Sequence, residues 1–232
     1  MSPIMLPRVR SFALLFLVAV AVAAAALFVG NHIMTPSFCR SCSLNSAVVE
    51  SGQLTYRSGK RIDLRNDYRL DQRVTYDGVN LRMVGRMHGF LDRRLRAIVS
   101  EDRFDIAIST QAEDERCPRA VSPLYPLALR RLLFSLPKGY AYPGKAWSTR
   151  YCEGALSCRY EIGEVRADGF AVTLTCAGAV AAGMESEVFL RAFFADEARW
   201  YRSIEGTIRV IANPLDARWT ISEELRDHQQ DD

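Results

Sequence analysis

Arg8 and Arg10 stand just ahead of an apolar run, residues 12–30, and no Asp, Glu, Lys or Arg occurs from Ser11 to Cys39. A helix rises about 1.5 Å per residue, so nineteen such residues match a hydrocarbon core of roughly 30 Å. The two arginines predict that residues 1–10 stay in the cytoplasm and that everything after the run is delivered outside. Residues 11–30 are therefore expected to be a transmembrane anchor in a bacterial inner membrane, with the C-terminal domain in the periplasm. A cleaved signal peptide, releasing a periplasmic or secreted protein, is the alternative, with Ala24-Ala25-Ala26 as its best cleavage site. The anchor is preferred on two grounds. The run exceeds the usual ~7–15-residue signal core. Cleavage would also leave Leu27-Phe28-Val29 as an apolar new terminus. No Cys directly follows the run, and Cys39 comes too late for lipid attachment. None of the five Asn begins an Asn-x-Ser/Thr acceptor, which points to a bacterial envelope rather than a glycosylating pathway.

The chain has 232 residues, 49% hydrophobic and 25% charged, so the part beyond the anchor is enough for one domain with a real core. Residues 31–45, with Pro36 and several Ser, read as a linker. Residues 46–226 read as a single β-rich extracytoplasmic domain, and 227–232 as a disordered tail. The net charge of +3 is too small to argue for a nucleic-acid partner. Its distribution is uneven: residues 57–103 carry twelve Arg or Lys against seven acids, and 185–232 carry six against eleven. A basic face of this kind suits anionic headgroups, and it equally suits solvated sheet faces that complement one another.

After the linker the hydrophobic pattern turns to period two. A hairpin is expected over 68–87, turning at Asp77-Gly78, with Tyr76 opposite Val79 and Val74 opposite Leu81. A second is expected over 159–176, turning at Asp168-Gly169. Phe170, Val172, Leu174 and Cys176 would share one of its faces. Further strands are expected at 187–194, 207–211 and 218–226, the last with Trp219, Ile221 and Leu225 inward. Weaker strands fall at 53–57, 62–65, 94–99 and 104–110. Ser51-Gly52 and Ser58-Gly59 read as turns. The one soluble helix expected is 126–136, opened by Pro126 and stopped by Pro137. Its Leu129, Leu132, Leu133 and Leu136 form a stripe, with Leu127 and Phe134 on the other side. The fold class that follows is mainly β (α+β): a curved antiparallel sheet or partly open barrel packed on one central helix, preceded by an N-terminal transmembrane helix.

Six cysteines beyond the run, Cys39, Cys42, Cys117, Cys152, Cys158 and Cys176, read as disulfides. Local spacing favours Cys152 with Cys158, across a short loop. The register expected for the second hairpin puts Cys158 and Cys176 on opposite faces, which argues against joining them. Cys117 would then seek Cys176 or a member of the 39/42 pair. Cys39-Arg40-Ser41-Cys42 has the spacing of a thiol–disulfide redox centre but lacks the helix that would lower its thiol pKa. A zinc site from Cys39, Cys42, Cys152 and Cys158 is the rarer alternative. His32, His88 and His228 show no catalytic neighbours in the sequence. Glu113-Asp114-Glu115 lacks the spaced ligands of a calcium site. No catalytic, cofactor-binding or metal site is assigned, and no cofactor is expected. Trp147, Trp200 and Trp219 are expected in or beside the core.

The stretch 136–147, with Leu136-Pro137, Gly139, Gly144 and Trp147, resembles an element of exported bacterial β-rich domains of unknown function. In those, a Leu-Pro step leads through a Gly to a Trp that opens a run of antiparallel strands. Glu205-Gly206-Thr207-Ile208 resembles that family's strand-opening Gly position, and the resemblance covers residues 123–226. The acidic residue usual after the Gly is Lys145 here. The resemblance implies a β-rich envelope domain and assigns no functional residue.

Three roles follow. The first is a membrane-anchored, non-enzymatic envelope domain that binds a protein partner or serves structurally. The second is an apolar-ligand or lipid-binding domain, since a curved sheet around a helix can enclose a cavity, as in outer-membrane lipoprotein carriers. The third is a thiol–disulfide protein using Cys39 and Cys42.

Overall fold

The computed structural model describes residues 35–78, 80–90, 103–109, 114–115, 135–152, 154–181 and 183–230, with Val18 and Val20. Among the described residues eleven strands form one sheet. They are β1 (Ser41–Tyr56), β2 (Arg61–Tyr76), β3 (Asn80–Phe90), β4 (Arg103–Ser109), β5 (Asp114–Glu115) and β6 (Ala146–Tyr151). Then come β7 (Leu156–Arg166), β8 (Gly169–Ala181), β9 (Met184–Ala195), β10 (Trp200–Ala212) and β11 (Leu215–Gln230). Their order is β4-β3-β2-β1-β11-β10-β9-β8-β7-β6-β5. All pairs are antiparallel except β5 with β6. The fold is thus an up-and-down meander in which β1 sits beside β11. Among the described residues it stays open between β4 and β5, so a mainly antiparallel sheet that does not close, as expected, is what they form.

Alternation explains the strands. Along β2 the outward positions read Arg61, Asp63, Arg65, Asp67, Arg69, Asp71 and Arg73, while Leu64, Tyr68, Leu70 and Val74 are buried between them. Rows of register-paired inward residues cross the sheet. One runs Leu64, Gly52, Trp219, Ile208, Val188, Cys176, Cys158. The next runs Asn66, Glu50, Ile221, Gly206, Leu190, Leu174, Tyr160. Buried residues of β1–β3 and β6–β11 join in one continuous core. The sheet curls to make it. The Phe38 ring lies 5.7 Å from Tyr76 on β2 and 6.0 Å from Phe194 on β9. Those strands are four spacings, or about 19 Å, apart along the sheet. Trp200 at 5.5 Å and Tyr201 at 6.5 Å complete an aromatic plug around Phe38.

Several expectations are corrected. Strand β1 begins at Ser41, inside the segment read as a linker, and Phe38 and Cys39 ahead of it are already core. Strand β11 runs to Gln230, so residues 227–230 pair with Cys42–Asn45 instead of fraying. Ser51-Gly52 is no turn: Gly52 lies within β1 opposite Trp219, and a Cβ there would overlap the indole. The glycine admits an aromatic ring laid over the backbone. Ser58-Gly59 is a turn, with Gly59 at φ 81°. The β2–β3 turn lies one residue later than expected, with the Asp77 carboxylate accepting from the Asn80 backbone N–H at 2.6 Å. Tyr76 therefore pairs with Leu81 and Val74 with Met83. The expected helix 126–136 falls outside the described residues except for Ser135 and Leu136, which are not helical. The apolar run likewise lies outside them except for Val18 and Val20, the only helical positions among the described residues. No helix of the described residues is long and apolar enough to cross a membrane. The packing of the sheet on a central helix is thus no part of the described fold.

Candidate functional site

The cysteines pair differently from the local expectation. Cys39 bonds Cys42, and Cys158 bonds Cys176. The expected Cys152–Cys158 bridge is therefore excluded. Cys152 is disulfide-bonded elsewhere, with its sulfur near the Val180 carbonyl, and Cys117 lies outside the described residues. The reason is a bulge in β7. Ile162 pairs with Val172, whereas Val165 pairs with Phe170, so Gly163 and Glu164 together oppose one residue. One extra residue turns every side chain beyond it to the other face. It places Cys158 directly across from Cys176, both buried. The same bonds exclude a zinc site of Cys39, Cys42, Cys152 and Cys158. Among the described residues no cluster of three His, Cys, Asp or Glu is placed to hold a metal. Cys39 and Cys42 are only 2% and 0% exposed. A disulfide sealed in this way offers no path to an attacking thiolate.

Polar side chains collect in one half of the buried face. Glu50 is 0% exposed. Its carboxylate accepts from Asn66 Nδ2 at 3.0 Å and from the Tyr68 hydroxyl at 2.8 Å. Glu223, also buried, sits beside it opposite Val48. Ser46 and Gln72 extend the group along β1 and β2. A buried carboxylate needs such donors, since each lone pair left dry is costly. The signal in the sequence is an acid at an inward position, between Val48 and Gly52, in an alternating strand. A second polar group is aromatic: the Tyr151 and Tyr160 hydroxyls meet at 2.9 Å, and Trp147 stacks on Tyr160 with centroids 4.9 Å apart. Burial, then the neighbouring Tyr151, pushes the Tyr160 phenol well up, and burial does the same to Tyr201. Both stay protonated and act as hydrogen-bonding groups.

The outward face carries a groove of about 1040 Å³ crossing β2, β1, β11, β10, β9 and β8. Ser51, Thr220, Thr207 and Thr175 line it with hydroxyls around the exposed Phe189, while Asp63, Glu187, Arg209 and Arg218 supply charges of both signs. Arg209 is fixed there by Asp216, through Nε to Oδ1 at 3.1 Å and Nη2 to Oδ2 at 3.0 Å. That hydrogen bond is the main cause holding the Asp216 carboxyl below its ordinary range, with burial opposing and Arg218 adding. His88 sits on the same outward side of β3, 3.3 Å from Asp71, which also accepts from Asn45 and Arg69. His228 lies in β11 opposite Leu44, and His32 is outside the described residues. Asp114 and Glu115 form the short strand β5. Trp200 and Trp219 are buried, and Trp147 is partly buried with its indole N–H donating to Ser135 Oγ at 3.1 Å. The alternating Arg and Asp of β2 and the groove across six strands were not anticipated. The first is visible in the sequence at every second residue. The second depends on strand order.

No protein-family profile matches the chain, and no curated protein matches it. Among solved structures, an N-terminal dehydratase from the difficidin assembly line aligns over 78% of each chain at 8% identity with a TM-score of 0.17. A likeness of that size carries no argument about fold or activity.

Proposed function

We propose that this chain is a membrane-tethered, extracytoplasmic domain that binds a polypeptide partner without transforming it. The tether reading rests on the apolar run behind Arg8 and Arg10. Bonded cysteines favour an oxidising compartment. The observation that carries the binding role is the outward groove, whose hydroxyls, exposed Phe189 and clamped Arg209 offer recognition chemistry on a rigid sheet. A photo-reactive residue replacing Thr207 in the full chain, expressed in cells, should yield one dominant adduct of defined mass. The same residue at Ser58, in the β1–β2 turn, should not. No adduct, or equal adducts at both positions, rejects the groove as the binding surface. Alkylation of intact cells addresses the compartment: all six thiols reacting in a cytosolic fraction would overturn the tether reading.

A second reading, a site for an amphiphile, is favoured by the division of the buried face. Glu50, Asn66, Tyr68 and Glu223 lie on one side of it and the apolar rows of β7–β10 on the other. Native mass spectrometry of the full chain in detergent is its test. Bare polypeptide with no lipid retained or taken up would reject it. The burial of both Cys39 and Cys42 weighs against thiol–disulfide exchange as the role.

A further inference from the structure

We propose that the 138–145 loop is a second membrane contact, seating its tyrosines and lysines in the anionic headgroup layer of the bilayer that the N-terminal run enters. The inference rests on the tether reading above. The loop presents Tyr140 at 62% and Tyr142 at 48% exposure, among the few exposed large apolar residues described. Between them Ala141 is fully buried, so the loop is pinned and its two rings are held out. Lys145 is the clamp. Its Nζ donates to the Lys138 and Tyr140 carbonyls, both at 2.6 Å, and lies 5.5 Å from the Tyr142 ring centroid. Backbone bonds tie the base of the loop to β7, from Gly144 N to Ile162 O and from Ile162 N to Lys145 O, both 2.8 Å. Two of the chain's three lysines are in this loop.

Position selects the occupant. Strand β6 runs from Ala146, opposite Glu161, to Tyr151, opposite Leu156, so residues ahead of Ala146 project the other way. That way, β7 continues to Val165, which pairs with Phe170, which pairs with Phe194. Phe194 belongs to the aromatic plug around Phe38, where the chain enters the sheet. Seven residues separate Gly30 from Phe38, at most about 29 Å of extended chain. The end of the sheet that bears the loop is thus the end leashed to the bilayer. Tyrosine is the residue type that settles at a membrane–water boundary, its ring in the apolar side and its hydroxyl in the wet side. Lysines beside it meet anionic headgroups.

The test uses the full chain in nanodiscs containing anionic lipid, carrying one environment-sensitive fluorophore on a single introduced cysteine. Every cysteine among the described residues is bonded. Tyr140→Cys, Val20→Cys and Ser58→Cys place the label in the loop, in the apolar run and in the β1–β2 turn. Headgroup-region spin-labelled lipid should quench the label at 140, and acyl-chain spin label the one at 20. The label at 58 should keep its emission in both. Tyr142→Cys repeats the loop measurement should the first variant fold poorly. Quenching at 20 without quenching at 140 or 142 overturns the loop contact and leaves the tether standing. An unquenched label at 20 overturns the tether and the inference with it. Equal quenching at 58 and 140 also overturns it, since adsorption would then be unspecific.

Discussion

The two halves of the buried face are built on different terms. On β7–β10 nearly every inward residue is apolar: Ile162, Val172, Leu174, Val188, Leu190, Phe194, Ile204 and Ile208. On β11, β1 and β2 the same rows hold Glu223, Glu50, Asn66 and Tyr68. The apolar half gains from every side chain removed from water, and its tolerance is set by volume. The polar half gains little net energy, because each hydrogen bond made replaces one lost to water, yet it is unforgiving of a missing partner. The comparison teaches that the first half holds the sheet together, while the second fixes how β1 sits between β2 and β11.

The largest expected effect lies in the apolar half. Phe194→Ala removes a ring stacked on Phe170 at 5.1 Å and packed on Phe38 and Tyr201. It should cost about 3–5 kcal/mol in denaturant unfolding. Replacing Cys158 and Cys176 together by Ala opens a link spanning 18 residues. That should cost about 3 kcal/mol, against roughly half as much for the three-residue separation of Cys39 and Cys42. Glu50→Ala strands the Asn66 and Tyr68 donors and should cost about 2–4 kcal/mol, with Glu50→Gln recovering part. A cost within the noise of an exposed substitution would erase the distinction between the halves. Gly52→Ala forces the Trp219 ring to move and should cost about 1–3 kcal/mol, with a changed tryptophan emission. The smallest effect is Asp216→Asn, under about 1 kcal/mol for this partly exposed pair. Its sign with pH is defined. The folded carboxyl sits below its unfolded value, so its contribution is complete above the ordinary carboxylate range. It vanishes as acid protonates the folded form, where wild type and variant should converge.

Hairpins separate what was legible from what was not. At β2–β3 the expected pairing was wrong by two positions, and the face assignments of Val74, Leu81, Arg73 and Arg82 survived, because the side-chain repeat is two. At β7–β8 a single unpaired residue at Gly163-Glu164 inverted the relation of Cys158 to Cys176 and with it the expected disulfide. The clue was present as two consecutive non-apolar residues between Ile162 and Val165. Strand content was readable because Phe170, Val172 and Leu174, or Trp219 and Ile221, alternate without interruption. The pairing of β1 with β11 was not, since no local pattern reports which distant edges meet. Gly52 misled for the opposite reason: a turn-like dipeptide marks the place where an indole from β11 approaches the backbone.

The adjacency of β1 and β11 has a consequence for biogenesis. A chain synthesised from its N-terminus exposes β1 early, with β2 and β3 available at once on one flank. Its other flank waits for a segment more than 150 residues later, so the newborn intermediate carries a long bare edge rimmed by Ser46, Val48 and Glu50. Non-local closure of this kind is intrinsically slow. Until β11 arrives, that edge is open to any passing extended polypeptide, and chaperone protection matters most in the interval before β11 has been made.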